Sequence, residues 1–192
     1  MSQYSYSSQP LERGSIRLLR LLPHEDENAP LRGDLFSYSL DSDNRAHLYE
    51  ALSYAWGSTE KPCIILMGQD ELRITENLYN ALRYLRNCFF DRIIWVDSVC
   101  IDQQNNQEKT DQILFMRHIF SQASHVIVWL GLAEDDGAQA LKDICVAAEG
   151  KLTNSSISEL KRNAIIRLLK RPWFQRIWVR KEKEKFILAE IY

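Results

Sequence analysis

The most constraining feature of the chain is an alternation of short apolar runs and helical periods between residues 49 and 131. The apolar runs Tyr49–Trp56, Ile93–Val96 and Val126–Leu130 have the length of strands, and the last two are apolar throughout. A strand of that kind is typical of a parallel sheet that is covered on both faces. Between the runs, apolar residues recur every three or four positions, as they do in helices. The alternation predicts parallel βαβ units with right-handed crossovers.

The N-terminal third favours further β-structure. Turn-forming residues separate four short apolar runs, a pattern typical of strands: Ile16–Leu22, Leu35–Leu40, Ile64–Met67 and Leu72–Ile74. Together with the alternation that follows, they predict an α/β fold in which a mainly parallel sheet is flanked by helices and preceded by an N-terminal β-rich extension. Residues 1–14, which begin MSQYSYSSQP, are expected to form a flexible N-terminus.

Several helices are predicted around and after these strands. Thr75 is placed to cap a helix of about three turns, whose apolar residues recur at helical spacing in Leu78, Ala81, Leu82 and Leu85. A second helix is predicted over Ile113–Ala123. Further helices are predicted over Ala138–Glu149, after the capping box of Ser156 and Glu159, and from Pro172 onward.

Composition limits the class of protein. The 192 residues are 45% hydrophobic and 26% charged, which excludes a disordered or fibrous chain and suits one globular domain. The longest apolar run, Val126–Ala133, covers about eight residues, whereas a membrane-spanning helix needs roughly 20. No membrane span is therefore predicted. Because the first residues do not resemble a secretory signal, the expected location is cytoplasmic.

The cysteines and histidines show no metal-ligand spacing. Cys63, Cys88, Cys100 and Cys145 form no C-x-x-C pair, and the four histidines form no H-E-x-x-H motif. No metal site is therefore expected, and buried reduced thiols are the favoured interpretation. A nucleophilic pair of Cys100 with His118 would require the two side chains to meet in space, which no sequence pattern predicts.

Charge is unevenly distributed along the chain. Residues 161–192 carry ten Lys or Arg and three acidic residues, whereas the whole chain has a net charge of -2. A basic segment of this kind either binds the phosphates of nucleic acid or lipid or forms a solvated helix face. No nucleic-acid-binding motif accompanies the charge, so the solvated face is favoured and no nucleic acid partner is predicted.

Candidate ligand-binding residues follow the ends of the predicted parallel strands, where sheets of this type bind ligands. The first strand ends at Trp56-Gly57-Ser58-Thr59, and the next two end at Asp97 and Gly131. Gly57 allows the backbone to approach a ligand closely, and the hydroxyl groups of Ser58 and Thr59 can donate hydrogen bonds to a phosphate. Turn formation also accounts for Gly57, and the chain has no glycine-rich phosphate loop.

Three acidic residues are candidates for chemistry. Asp97 and Asp102 can act as a metal-binding or acid–base pair, although loop formation explains both residues as well. Glu182 lies one helical turn after Trp178, and a carboxylate beside an aromatic ring is partly desolvated, which can prepare it for catalysis. The alternative is that Arg180–Lys185 is a run of charges facing water.

Three sequence blocks resemble the fungal heterokaryon incompatibility (HET) domain. The opening block is YEALSYAWG at Tyr49–Gly57. The central block, from Ile94 to Gly131, contains WVDSVCIDQQNNQEKTDQI and ends in VIVWLG. The third block is RPWFQRIW at Arg171–Trp178. Their order and spacing agree with a HET domain over residues 15–182. Because members of that family commonly continue much further, residues 183–192 are expected to be an atypical or truncated C-terminal end.

The resemblance implies a self-recognition module of filamentous fungi that triggers growth arrest or cell death. HET domains are in turn similar to Toll/interleukin-1 receptor (TIR) domains, which have a flavodoxin-like α/β fold. Some TIR domains cleave the nicotinamide–ribose bond of NAD with the Glu of a Trp-x-x-x-Glu helix, which corresponds to Trp178 and Glu182 here. The likeness implies that Glu182 is catalytic. It also implies that NAD is a substrate rather than a bound cofactor, and the residues expected to contact it are Trp56, Gly57, Ser58, Thr59, Asp97 and Trp178.

Two functions follow from the resemblance. One is cell-death signalling through NAD hydrolysis after self-association. The other is non-enzymatic, in which a self-associating interaction module recruits partners. In both, the expected partners are further copies of the chain or other signalling proteins. The family usually has Gln before the catalytic Glu, where this chain has Lys181.

Overall fold

The computed structural model describes residues 2–12, 14–40, 47–132, 139–141, 144, 146, 159–175 and 189–191. The strands are β1 (Ser2–Gln3), β2 (Ser15–Leu21), β3 (Leu31–Ser39), β4 (Glu50–Tyr54), β5 (Cys63–Met67), β6 (Asp70–Ile74), β7 (Arg92–Trp95), β8 (His125–Trp129) and β9 (Ala189–Ile191). The helices are α1 (Glu76–Leu85), the single turn α2 (Asp97–Cys100), α3 (Asn106–Gln122) and α4 (Glu159–Leu169), and short 3-10 helices lie at Tyr6–Ser8 and Pro172–Gln175. None of the described helices is long and apolar enough to cross a membrane.

The described strands form one mixed sheet in the order β1-β6-β5-β3-β2-β7-β4-β8-β9. The part formed by β7, β4, β8 and β9 is parallel throughout, as the strand–helix alternation predicts. Elsewhere, β2 runs antiparallel to both β3 and β7, and β5 runs antiparallel to β6. The α/β prediction is confirmed. The sheet is mixed, with five of the eight pairings between its described strands parallel, since β1 also runs parallel to β6 and β3 parallel to β5.

Short connections account for two of the three antiparallel pairs of described strands, β5 with β6 and β2 with β3. Gly68 and Gln69 alone join β5 to β6, and Gly68 has a φ of 64°, in the left-handed region that a two-residue hairpin turn requires. Residues 22–30 join β2 to β3 without a helix, whereas a parallel pair needs a crossover of a dozen or more residues. Apolar periodicity identifies these strands but does not reveal their direction.

Helices cover both faces of the sheet around β4. Trp95 pairs with Ala51 of β4, and Trp129 pairs with Tyr54, three positions further along the strand. Because side chains alternate between faces, the two indole rings lie on opposite sides of the sheet. The ring of Trp95 contacts α3, and the ring of Trp129 contacts α1. The two helices therefore pack on opposite faces.

Helix α1 agrees with its sequence prediction. It follows Thr75, whose Oγ1 accepts a hydrogen bond from the backbone N–H of Leu78 at 3.4 Å, as expected of an N-cap. Its buried residues are those predicted, namely Leu78, Ala81, Leu82 and Leu85. These side chains join the main hydrophobic core, to which β2, β4 and β7 also contribute.

Other helical predictions have different outcomes. The turn α2 was not predicted, because four residues are too few to show a helical period. Pro172–Gln175 is a 3-10 helix, and the rest of the helix predicted there, including Trp178, lies outside the described residues. Most of the predicted helix over Ala138–Glu149 also lies outside them, as does the capping residue Ser156.

Residues 2–12 make specific contacts with the sheet and with α2. β1 pairs with β6, and the backbone N–H of Tyr4 donates to the carbonyl of Glu71 at 3.0 Å. The hydroxyl of Tyr6 donates to the carbonyl of Val99 at 2.8 Å. The segment expected to be a flexible N-terminus thus includes an edge strand and a link to α2.

Candidate functional site

The carboxyl ends of β4, β7 and β8 meet at one edge of the sheet, because these strands are adjacent and parallel. β4 lies between the other two, although it precedes both in the chain. The strand order therefore reverses at β4. Open α/β sheets bind their ligands at such a topological switch point.

Two of the predicted site residues contact each other at this edge. Trp56, two residues after β4, donates a hydrogen bond from Nε1 to Oδ2 of Asp97 at 3.0 Å. The other carboxylate oxygen accepts from the backbone N–H of Ser98 at 2.7 Å. Gln103 donates from Nε2 to the Asp97 carbonyl at 2.9 Å. These bonds hold the carboxylate at the start of α2 and fix the indole beside it.

A groove of about 580 Å³ opens beside Trp56 and Asp97. It lies between the end of β4, the turn α2 and one side of α3. The residues that line it are Ala55, Trp56, Asp97, Ile101, Gln103, Lys109, Ile113, Leu114, Met116, Arg117 and Phe120. Most of these side chains are apolar, with one acid and two cations among them.

Helix α3 forms one wall of the groove. Several of its lining residues recur every three or four positions, which places them on one side of a helix. Leu114 is 79% exposed and Ile113 is 53% exposed, and contiguous apolar exposure of this kind marks a binding surface. Lys109 and Arg117 contribute no ion pair within the described residues.

The loop after Trp56 is exposed and does not line the groove. Gly57 has a φ of 71°, and a Cβ built there would approach only Asn77, at 3.9 Å. Ser58 accepts a hydrogen bond at Oγ from the backbone N–H of Glu60 at 3.1 Å, which is a local turn. The fold therefore brings Trp56 and Asp97 together but leaves Ser58 and Thr59 outside the groove.

Asn77 joins two strand ends at the switch point, and sequence reasoning missed it. Its Nδ2 donates to the carbonyl of Ala55 at 2.6 Å, and its Oδ1 accepts from Nε1 of Trp129 at 2.9 Å. The side chain thus links the end of β4 to β8. The one signal in the sequence is its position in the first turn after the Thr75 cap.

A buried ion pair supports the groove wall. The Arg17 side chain on β2 is 1% exposed and forms a bidentate pair with Glu108 of α3. It also donates to the carbonyls of Gln9 and Cys100, while Glu108 accepts from the backbone N–H of Asp102. Arg17 therefore ties the N-terminal segment, α2 and α3 together. Its sequence signal is weak, because a charged residue in an apolar strand usually faces water.

Asp102 does not join Asp97 in a common site. Its carboxylate accepts from the backbone N–H of Gln104 at 3.0 Å, and it does not line the groove. Within the part of the chain that the structure describes, no group of three or more His, Cys, Asp or Glu side chains could hold a metal ion. Turn formation accounts for Asp102.

Cys100 is not arranged as a nucleophile. Its thiol is buried and lies 3.8 Å from the carbonyl oxygen of Ile94, its acceptor. Burial raises the pKa of the thiol to about 12, so the reactive thiolate is scarce near neutral pH. The ring of His118 packs against Phe115 instead, with 5.3 Å between ring centroids.

The start of the third sequence block is hydrogen-bonded to β4, the strand that leads to the groove. The buried Trp173 donates from Nε1 to Oγ of Ser53 at 3.0 Å. Arg171 donates to the carbonyl of Leu130 at 3.1 Å, just after β8. The start of the block is thereby attached to β4 and to the end of β8. Trp178 and Glu182, which were predicted as binding and catalytic residues, lie outside the described residues.

Comparison with known proteins identifies the family. The sequence model described as heterokaryon incompatibility protein (HET) matches residues 49–182. The chain belongs to the HET family. It is 33% identical over 153 residues to heterokaryon incompatibility protein 6, OR allele, of Neurospora crassa, a match that covers 72% of this chain and 22% of that relative. No solved structure matches the chain.

The HET match contains the whole candidate site. It begins at Tyr49, at the entry to β4, and so includes the switch point, the groove and α3. Strands β2 and β3 precede the matched range, although they belong to the same sheet. The family membership inferred from the three sequence blocks is confirmed.

Proposed function

We propose that this HET domain acts in fungal self/non-self recognition and in the cell-death signalling that follows it. Family membership and the likeness to a heterokaryon incompatibility protein of Neurospora crassa support this role. The chain spans 22% of the length of that relative, so the role proposed is that of one module. The proposed place of action is the cytoplasm.

The proposal extends to a flavodoxin-like, TIR-like parallel core. If β4 is counted as the first strand of that core, β7 is the second, β8 the third and β9 the fourth. The observed order β7-β4-β8-β9 then corresponds to 2-1-3-4, the order of flavodoxin-like sheets. Helices on both faces agree with the same architecture. This correspondence supports transferring TIR chemistry to the switch point.

The proposed reaction is hydrolysis of NAD. The bond between nicotinamide and ribose breaks, and nicotinamide leaves with the bonding electron pair. Water adds to the ribose carbon and releases a proton, which yields ADP-ribose. The transition state has oxocarbenium character, and a nearby carboxylate stabilises it. Glu182 is the proposed carboxylate. Trp56 and Asp97 are the proposed dinucleotide contacts inside the groove, and Gly57, Ser58, Thr59 and Trp178 are proposed as contacts beyond its lining.

The observation that carries this proposal is the attachment of the third block to β4. Trp173 contacts Ser53, three residues before Trp56. Glu182 follows Gln175, at the end of the 3-10 helix, by seven residues. Seven residues span about 10 Å if they are helical, and we propose that this length of chain brings Glu182 to the groove.

Release of free nicotinamide from NAD by the purified chain at high concentration tests the reaction. Glu182→Gln is expected to abolish release. Glu184→Gln is the matched control, because it removes an acid two residues away that is outside the Trp-x-x-x-Glu spacing. No release by the wild type at any concentration, or undiminished release by Glu182→Gln, contradicts the proposed chemistry.

A self-associating, non-enzymatic interaction module is the second candidate function. Exposed apolar side chains favour it, since Phe89 is 74% exposed and Phe90 is 73% exposed. Sedimentation velocity over a range of concentrations tests this function, with the Phe89→Ser and Phe90→Ser double variant for comparison. Assembly that the double variant loses, without NAD hydrolysis, supports it. A wild-type monomer at every concentration excludes it.

A further inference from the structure

We infer that the groove beside Trp56 binds the phosphate groups of a nucleotide through Lys109 and Arg117. The choice of a nucleotide rests on the proposed NAD-hydrolysing function. The structure identifies the two cations as groove residues, because neither belongs to a known phosphate-binding motif. They line the same groove as Trp56, from the opposite wall formed by α3.

The charge of this wall favours an anionic ligand. Arg17, Arg20 and Arg92 each form an ion pair with a carboxylate. Lys109 and Arg117 form none within the described residues. Two cations outnumber the single acid of the groove lining, Asp97, whose carboxylate already accepts hydrogen bonds from Trp56 and from the backbone N–H of Ser98. Among the described lining residues, the net charge is therefore positive, which favours phosphate.

The spacing of the two cations suits an extended ligand. Lys109 and Arg117 lie eight residues apart on α3, or about 12 Å along the helix axis. Ile113 and Met116 line the groove between them. Lys and Arg side chains are long and flexible, so the two charges can converge on one pyrophosphate above the apolar side chains that lie between them.

The opposite wall suits a nucleobase. Trp56 is 40% exposed, and its hydrogen bond to Asp97 fixes the indole. Aromatic side chains bind bases by stacking, whatever the base. The volume of about 580 Å³ also lies within the usual range for small-molecule pockets, roughly 300–1,000 Å³. An aromatic ring and two cations in the lining of one groove favour a nucleotide over an acidic peptide.

Titration of the purified chain with adenosine, AMP and ADP measures the contribution of the phosphates. Affinity is expected to increase from adenosine to ADP, and ADP binding is expected to weaken as salt is added. Lys109→Ala and Arg117→Ala should each weaken ADP binding roughly tenfold, as for the loss of one charge-assisted hydrogen bond. Adenosine binding should not change. Arg117→Lys keeps the charge and should retain most of the ADP affinity.

Lys61→Ala is the matched control, because Lys61 is an exposed lysine in the loop after the end of β4 and does not line the groove. It should bind all three ligands as the wild type does. Thermal unfolding monitored by circular dichroism verifies that every variant is folded. Equal binding of adenosine and ADP by the wild type overturns the inference. So does ADP binding that neither alanine variant weakens, or binding of an acidic peptide in place of ADP.

The outcomes separate this inference from the proposed reaction. One outcome is nicotinamide release that depends on Glu182, with an ADP affinity that neither Lys109→Ala nor Arg117→Ala lowers. It overturns the phosphate site and supports the reaction. ADP binding that depends on both cations, without any nicotinamide release, overturns the reaction and supports the phosphate site.

Discussion

Removal of the Glu108 carboxylate should destabilise the fold far more than removal of the Asp34 carboxylate, although each pairs with an arginine of β2. In the first pair, the Arg17 side chain is 1% exposed and Glu108 is 12% exposed. In the second, Arg20 and Asp34 are 46% and 44% exposed and lie 3.4 Å apart. The two pairs compare the same chemistry in a buried and a hydrated setting.

The expected magnitudes follow from burial. Glu108→Ala leaves the Arg17 charge buried without a counter-ion, which costs about 3–5 kcal/mol. It also removes the acceptor of the Asp102 backbone N–H, a hydrogen bond worth about 1 kcal/mol. Arg17 keeps its bonds to two carbonyl groups, so we expect a net loss near the lower limit, about 3 kcal/mol. Asp34→Ala should cost less than about 1 kcal/mol.

Urea unfolding monitored by tryptophan fluorescence measures both losses as changes in the free energy of unfolding at constant slope. The Arg17→Met and Glu108→Leu double variant provides a second measurement. It should recover part of the stability lost in Glu108→Ala, since no charge remains buried. A loss below about 1 kcal/mol in Glu108→Ala, or a double variant less stable than Glu108→Ala, would refute the reasoning from desolvation.

Two further predictions concern packing and ionisation. A Cβ at Gly33 would lie 2.8 Å from a backbone oxygen and a leucine methyl of β2, so Gly33→Ala should cost more than about 2 kcal/mol. A Cβ at Gly68 would meet no atom within 4 Å, so Gly68→Ala should cost only about 1 kcal/mol, for its positive φ. Equal losses of unfolding free energy for the two variants in urea would contradict this difference. Because burial raises the pKa of the Cys100 thiol from 9.0 to about 12, the stability that this group contributes should be complete below pH 9 and decline from there to about pH 12. Cys100→Ala should flatten that decline, and an unchanged pH profile would show the assignment to be wrong.

Local patterns predicted the individual elements well. α1 begins at the predicted cap and buries the predicted residues because a cap and a helical period depend on residues within a few positions of one another. The same reasoning located β2 to β8, whereas β1 and β9 lie in segments that were expected to be a flexible N-terminus and an atypical C-terminal end. The directions of the strands were not predicted, since an apolar run looks the same whether its neighbour is parallel or antiparallel. The antiparallel position of β2 between β3 and β7 therefore required the structure.

The candidate site was predicted only where a strand end identified it. Trp56 and Asp97 follow strands that the sequence predicts to be parallel, so their shared edge could be expected, and the hydrogen bond between them agrees. The α3 wall could not be expected, because the side of α3 that faces the strand ends depends on how the helix packs. Asn77 went unnoticed for the same reason, since its partners are Ala55 and Trp129.

The sequence by itself determined strands β2 to β8 and helix α1, the switch from strands to alternating strands and helices, and the family. The elements and their alternation depend on residues that are close in the chain, and the family is identified from three short sequence blocks. The tertiary structure decided the strand directions, the groove and the burial of Arg17. Those features depend on contacts between distant segments: 91 positions separate Arg17 from Glu108, and 41 separate Trp56 from Asp97. Periodicity and capping act over a few residues, so they carry no information about which distant segments will meet.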